Sequence, residues 1–354
     1  MLYQTENQHG GDVYGGGITL DFSANTNPLG TPPGVLEAVC RALPRLHRYP
    51  DPYCRRLVQA IAGHEQVPAS YILCGNGAAD LIYTYCAALR PRTAVELAPT
   101  FVEYGAGLAQ VGCRVERYFL HQAQNFDLDE RFLSFLEEKK PEVVFLCNPN
   151  NPTGRLIPLP LLEQILQYCA AQGARLFLDE CFLDLTEDGV SAKSLLAAHP
   201  ALLLLKAFTK SYGMAGLRLG YCLCADNALL HRMAAASPPW NVSTPAQSAG
   251  VAALAERDFL QRTLSLVRTE RRWLTDNLTA LGFWVCPSHA NYLLFRGPLG
   301  LREGLLQQGI AIRGCGNYNG LGDGWYRIAV RPHGENEALI TAIRQFCKEK
   351  SLWQ

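Results

Sequence analysis

An α/β fold, with a mostly parallel sheet in a large domain and a smaller α+β domain after it, is what this sequence predicts. Three observations carry that expectation. The chain has 354 residues, beyond the roughly 100–200 of an average domain. Short apolar runs alternate with helical patterns through its middle, the sequence form of parallel strands covered by helices. Near Ser237-Pro-Pro-Trp240 the pattern changes to longer helical stretches and then to late strands.

Taken in order, the turn at Gly77 opens a helix that carries Ala78, Leu81, Ile82 and Tyr85 on one face. Val143-Val-Phe-Leu-Cys147 is a buried strand. After the loop Asn148 to Gly154, residues Leu162, Ile165, Leu166 and Cys169 recur at helical spacing, and Gly173 closes that helix. Arg175-Leu-Phe-Leu178, Leu202-Leu-Leu-Leu205 and Leu219 to Cys224 follow as strands. The charged region Arg262 to Asn277 is a long helix, and Tyr292-Leu-Leu-Phe295 and Tyr326-Arg-Ile-Ala-Val330 are the late strands. Residues 1–39 are expected to be an N-terminal arm belonging to the small domain, 40–245 the large domain and 246–354 the small C-terminal domain. Gly15-Gly-Gly17 is too short to be more than a turn or joint.

Hydrophobic residues make up 48% and charged residues 18%, with 32 basic against 32 acidic side chains. No overall field recruits nucleic acid or an acidic membrane, so an anionic ligand must be caught by a few placed groups. The 13 cysteines are scattered from Cys40 to Cys347 without a CxxC pair, which points to reduced thiols in a cytoplasmic protein. Cys222 and Cys224 share one face of a strand and have no other ligand-like cluster beside them in sequence. They read as core, and no metal site is expected. Met1 to His9 lacks the basic start and apolar run of a secretory signal, and no window reaches the roughly 18 apolar residues of a membrane span.

Four stretches fall where strands end, the place at which such sheets hold ligands. Cys74-Gly-Asn-Gly-Ala-Ala-Asp80 is a glycine-bearing turn opening a helix, where free N–H groups and the helix dipole suit a phosphate; alone it could equally be a tight structural turn. Asn148-Pro-Asn-Asn-Pro-Thr-Gly154 is a rigid loop able to fix an asparagine. Asp179 ends a strand, where a lone acid is usually solvated or a helix cap. In Phe208-Thr-Lys-Ser-Tyr-Gly-Met-Ala-Gly-Leu-Arg218 a lysine precedes an arginine by eight residues. Lys206 is its local competitor and lacks that spacing.

This order of motifs, over nearly the whole chain, resembles the fold-type I pyridoxal-phosphate (PLP) enzymes, and within them the histidinol-phosphate aminotransferase group. The resemblance implies a PLP-binding large domain, with Lys210 as the Schiff-base lysine and Asp179 against the ring nitrogen, which it keeps protonated and electron-withdrawing. It further implies Asn151 on the phenolic oxygen, with Gly77, Ala78, Ala79, Thr209 and Arg218 around the cofactor phosphate. Phe101 matches the aromatic that stacks on the ring; without the resemblance, core packing would be the default for a Phe. Tyr49 matches the tyrosine that reaches the phosphate of the neighbouring subunit, which implies a homodimer. Two positions depart from the group. Ala207 replaces a phosphate-binding hydroxyl, and Phe182 replaces a tyrosine that helps hold the phenolic oxygen.

His9-Gly-Gly11, Asp21-Phe-Ser-Ala-Asn-Thr-Asn-Pro-Leu-Gly30, Trp240-Asn-Val-Ser243, Ala290-Asn-Tyr-Leu-Leu294 and Arg313-Gly-Cys-Gly-Asn-Tyr-Asn-Gly-Leu321 resemble the threonine-phosphate decarboxylases of cobalamin biosynthesis, which also carry phenylalanine at the position of Phe182. A substrate with both carboxylate and phosphate needs two cationic clamps. The resemblance makes Arg327 the grip on the α-carboxylate and brings Arg313, His9, Gly10 and Asn25 to the substrate phosphate, with Asn151 also facing the substrate. A disordered tail is the alternative for His9, and Arg331 is a surface or supporting charge. It implies decarboxylation of O-phospho-L-threonine to (R)-1-amino-2-propanol O-2-phosphate. The alternatives are histidinol-phosphate transamination or decarboxylation of a related substrate such as phosphoserine. A non-catalytic PLP-binding regulator would usually bring a DNA-binding domain and a basic surface.

Overall fold

The structure, a computed structural model, describes residues 9–350. Most of the segment read for a secretory signal, residues 1–8, lies outside the described residues. In chain order the strands are β1 (Leu20–Asp21), β2 (Ile72–Gly75), β3 (Thr93–Ala98), β4 (Arg114–Phe119), β5 (Val143–Cys147), β6 (Arg175–Asp179), β7 (Leu202–Ala207), β8 (Gly220–Cys224), β9 (Trp284–Val285), β10 (Tyr292–Arg296), β11 (Ile310–Ala311), β12 (Arg313–Gly314) and β13 (Trp325–Ala329). Seven form one sheet in the order β2-β8-β7-β6-β5-β3-β4, parallel except for β8, which runs against both of its neighbours.

The apolar runs are uninterrupted because both faces of this sheet are covered. Along β5, Val144 and Leu146 join one core while Phe145 and Cys147 join the other; β7 divides Leu202 and Leu204 from Leu203 and Leu205 in the same way. Cys222 and Cys224 are fully buried in the second core, on the same side. The helix Leu159–Gln172 buries Leu162, Ile165, Leu166 and Cys169 and stops where Gly173 turns left-handed at φ 67°. The helix Ala78–Leu89 buries Leu81, Ile82 and Tyr85. Cys147, Asp179 and Leu205 are aligned in register, so the loops after β5, β6 and β7 leave the sheet at one edge.

A second sheet, β12-β13-β10-β9, is antiparallel and has its own core around Phe22, Leu274, Leu293, Ile328 and Phe346. The N-terminal segment belongs to this core: β1 pairs with β11, Phe22 N donates to Ala311 O, and Phe22 O accepts from Ala329 N. That threading brings Ser23 and Asn25 against the end of β13. The expected boundaries at 39/40 and 245/246 fall inside two helices, Pro33–Ala42 and Thr244–Ala253, which pack on each other. Among the described residues no helix is long and apolar enough to cross a membrane, and no group of three or more His, Cys, Asp or Glu could hold a metal ion.

Candidate active site

The two competing lysines have opposite surroundings. Lys206, at the end of β7, is buried and paired with Glu65 at 3.1 Å and Asp184 at 3.2 Å. Burial works to lower its pKa, but the carboxylates of Asp184, Glu65 and Glu180 override it and hold the ammonium charged. Lys210 sits on the short helix Phe208–Ser211 with its Nζ 5.6 Å from the centre of the Phe182 ring. Among the described residues no carboxylate pairs with it. Burial, helped by the charges of Arg327 and Arg218, depresses its pKa to about 8. An amine so placed is unprotonated roughly one time in ten at pH 7, against about one in three thousand for an ordinary lysine.

Asp179 ends β6 only 5% exposed. Its Oδ2 accepts from the Tyr104 hydroxyl at 2.6 Å and its Oδ1 from the Cys181 N–H at 2.8 Å. Burial raises its pKa, while the bonds from Cys181 and Tyr104 and the charge of Lys210 oppose the rise. Such a carboxylate gains from a cation brought beside it. Tyr104, fully buried among Phe145 and Phe177, has no role assigned from sequence; its only signal is that it stands three residues after Phe101. Phe101 is partly buried, with its ring 5.6 Å from that of Tyr104.

At the next loop, Asn151 is buried and its Oδ1 accepts from Arg327 Nη1 at 2.6 Å. The turn after β2 is shaped by close approach: a Cβ on Gly77 (φ 87°) would come within 2.6 Å of Arg218 Nη2, and one on Gly220 within 2.7 Å of Ala78 N. Asp80 Oδ2 accepts from Asn76 N at 3.0 Å and Asn241 Nδ2 at 2.7 Å. The helix after Gly77 has no side-chain cap, which leaves Ala78 and Ala79 N–H groups at a positive helix end. Arg218 is exposed, Thr209 is buried, and Ala207 offers no hydroxyl.

Arg327 is buried on β13, held by Asn151 and by Ser23 O at 2.8 Å, and its Nε is buried without a partner. Asn25 is 1% exposed, and both its Nδ2 and Oδ1 lack partners. Its main-chain oxygen accepts from Asn291 Nδ2 at 3.2 Å, and Asn291 Oδ1 is also unpartnered. Orphaned buried polar groups at one place call for a polar ligand. Arg313 and His9 face a different space, a cavity of about 870 Å³ lined also by Gly10, Ser23 and Asn317. Arg313 Nη2 donates to Asn317 Oδ1 at 2.7 Å, and its Nη1 donates to Gly314 O. His9 Nε2 lies 2.8 Å from Glu103 Oε1, which anchors a residue for which a disordered tail is the alternative in sequence. Asn25 does not line that cavity; Asn291, just before β10, holds its main chain. Tyr49 is 77% exposed and stacks on Trp240 at 4.5 Å. Arg331 pairs with Glu335 at 2.9 Å. Asn291 and Asn317 lie in stretches that carry the resemblance, Ala290 to Leu294 and Arg313 to Leu321, without a role of their own from sequence, and Glu103 has no local pattern to distinguish it.

Residues 18–346 match the model of the class I and II aminotransferases. The chain belongs to that family. It is 41% identical over 331 residues to threonine-phosphate decarboxylase of Salmonella typhimurium, covering 92% of this chain and 90% of the relative. It is 30% identical to histidinol-phosphate aminotransferase of Methanosarcina mazei, covering 92% and 87%. The fold is similar to L-threonine-O-3-phosphate decarboxylase from Porphyromonas gingivalis, with a TM-score of 0.82, 26% identity and coverage of 93% and 99%. It is also similar to histidinol-phosphate aminotransferase from Clostridium acetobutylicum, with a TM-score of 0.87, 27% identity and coverage of 93% and 99%.

PLP is the cofactor of this family, and the residues fit it. A lysine with a depressed pKa, a buried carboxylate that has no ion-pair partner among the described residues and an uncapped helix end beside a guanidinium are arranged at one sheet edge. They are the groups that would meet its aldehyde, ring nitrogen and phosphate respectively.

Proposed function

We propose that this chain decarboxylates O-phospho-L-threonine to (R)-1-amino-2-propanol O-2-phosphate, a step of cobalamin biosynthesis, as a cytoplasmic homodimer. The observation that carries the reading is the pair of separate cationic clamps. Arg327, buried and with an unpartnered Nε, suits a carboxylate in a dry site. Arg313 with His9 and Gly10 suits a phosphate in a roomier one. In this reading Lys210 holds the cofactor, Asp179 faces its ring nitrogen, Phe101 its ring and Asn151 its phenolic oxygen. Gly77, Ala78, Ala79, Thr209 and Arg218 surround its phosphate, and the exposed Tyr49 reaches the site of a second subunit.

When bound, the cofactor accepts electron density from whichever bond at Cα stands perpendicular to its ring. The protein's part is to choose that bond. Two anions fixed by Arg327 and Arg313 would leave the substrate little rotation about Cα, and decarboxylation requires that the arrested orientation set the Cα–carboxylate bond perpendicular to the ring. The Cα–carboxylate bond breaks, CO2 leaves, and Lys210 Nζ holds the proton that returns to Cα. Phe182 covers Lys210 with an apolar ring and adds no competing acid or base there.

The test is product analysis with purified protein. O-phospho-L-threonine should release CO2 without a keto-acid acceptor, and histidinol phosphate with 2-oxoglutarate should yield little glutamate. Efficient transamination without CO2 would replace this reading by the aminotransferase one.

A further inference from the structure

Lys210 rides on a four-residue helix, Phe208–Ser211, too short to hold its own shape. Something outside it must fix its direction. The turn is bounded by two groups that meet the same side chain: Asp184 Oδ1 lies 3.2 Å from Lys206 Nζ, and Asp184 Oδ2 accepts from Ser211 Oγ at 2.9 Å. One carboxylate thus spans from four residues before Lys210 to one residue after it. Both ends are anchored further. Lys206 Nζ is 3.1 Å from Glu65 Oε1, which also accepts from the Tyr221 hydroxyl at 2.5 Å, and Glu65 Oε2 lies 3.0 Å from Lys193. Ser211 O accepts from Asn27 Nδ2 at 2.8 Å, and Asn27 Nδ2 also donates to Thr263 Oγ1 at 2.9 Å.

We propose that Asp184 is a positioning residue for Lys210, its carboxylate clamping Lys206 and Ser211 at the two ends of the turn that carries the reactive amine. This rests on the reading of Lys210 as the lysine that holds the cofactor. Among the described residues Asp184 makes no hydrogen bond or ion pair with Lys210 or with any residue assigned to cofactor or substrate. Its effect is on direction: the clamp keeps the Lys210 stem aimed across the edge of β6 toward Asp179 rather than along the sheet.

The holoenzyme and its D184L, D184N and S211A variants test this. In D184L, Lys206 keeps Glu65 as partner, so the ion pair beneath the turn survives while the clamp is lost. In D184N the amide oxygen can still accept from Lys206 and the amide nitrogen can donate to Ser211 Oγ. The expected result is that D184L loses most of the visible circular dichroism of the bound cofactor and about tenfold in kcat, as a misplacement of an ångström or less produces, with KM changed by less than about threefold. D184N should keep both near the wild-type values, and S211A should fall between. Unchanged dichroism and kcat in folded D184L would overturn the proposal, as would equal damage in D184N and D184L, which would mean that charge and not the clamp matters. If D184L does not fold, wild-type dichroism and kcat in S211A overturn it instead. Borohydride labelling of the wild type away from Lys210 would remove the underlying reading, whatever the variants do.

Discussion

Replacing Asp179 by asparagine separates what its charge does for the fold from what it does for the reaction. Its folded-state pKa lies above the unfolded value, chiefly because the group is buried. Between the two values the folded form holds the extra proton, so stability falls as pH rises through that window, and above it the penalty of the buried charge is fully present. A neutral amide escapes the penalty. The amide of the D179N variant can also keep both contacts, its oxygen accepting from Cys181 N and its nitrogen donating to a turned Tyr104 hydroxyl. The apoprotein of D179N should therefore be at least as stable as wild type at neutral pH. The holoenzyme should suffer, because removing the charged partner of a buried ion pair costs about 2–5 kcal/mol, or roughly thirty- to five-thousand-fold in rate. Calorimetric unfolding of apo and holo forms, beside single-turnover CO2 release, measures both effects. A D179N apoprotein clearly less stable than wild type, or a holoenzyme of near-normal turnover, would refute the reasoning.

Three further outcomes follow from the same geometry. Incorporation of PLP into the apoprotein should speed up as pH rises through about 8, because burial, Arg327 and Arg218 lower the pKa of Lys210 and only the unprotonated amine reacts; stopped-flow absorbance would show it, and a midpoint near that of free lysine would contradict it. Lys206→Met should leave Asp184 without its cation and Glu65 with Lys193 alone, and cost about 3–5 kcal/mol in denaturant unfolding, whereas a change under about 1 kcal/mol would mean that the network is incidental. Arg313→Ala should lower kcat/KM for O-phospho-L-threonine at least about thirtyfold while leaving cofactor content unchanged, since Arg313 lines the cavity proposed to take the substrate phosphate, and loss of PLP from that variant would misplace the residue.

Much of the architecture is local information. Val143 to Cys147 is an unbroken apolar run because both sheet faces are covered, and the spacing of Leu162, Ile165, Leu166 and Cys169 marks a helix ended by a left-handed Gly173. Lys210, Asp179 and Asn151 stand out because each sits in a short motif at the end of a strand, and parallel strands deliver their ends to one edge. What the motifs do not carry is which side chains meet. Lys206 and Lys210 are four residues apart, and their difference arises from Glu65 and Asp184, brought in by other elements. Tyr104 acquires a role only because β6 puts Asp179 beside it, 75 residues away in sequence. Asn25 stands apart from the Arg313 cavity because Phe22 is tied to β13 and Asn291, 266 residues distant and just before β10, holds the Asn25 main chain. The sequence alone therefore determined the elements, the motifs and the family, all of which depend on residues near one another along the chain. The tertiary structure decided charge state, partner and direction, because those depend on burial and on groups that only folding brings within a few ångströms.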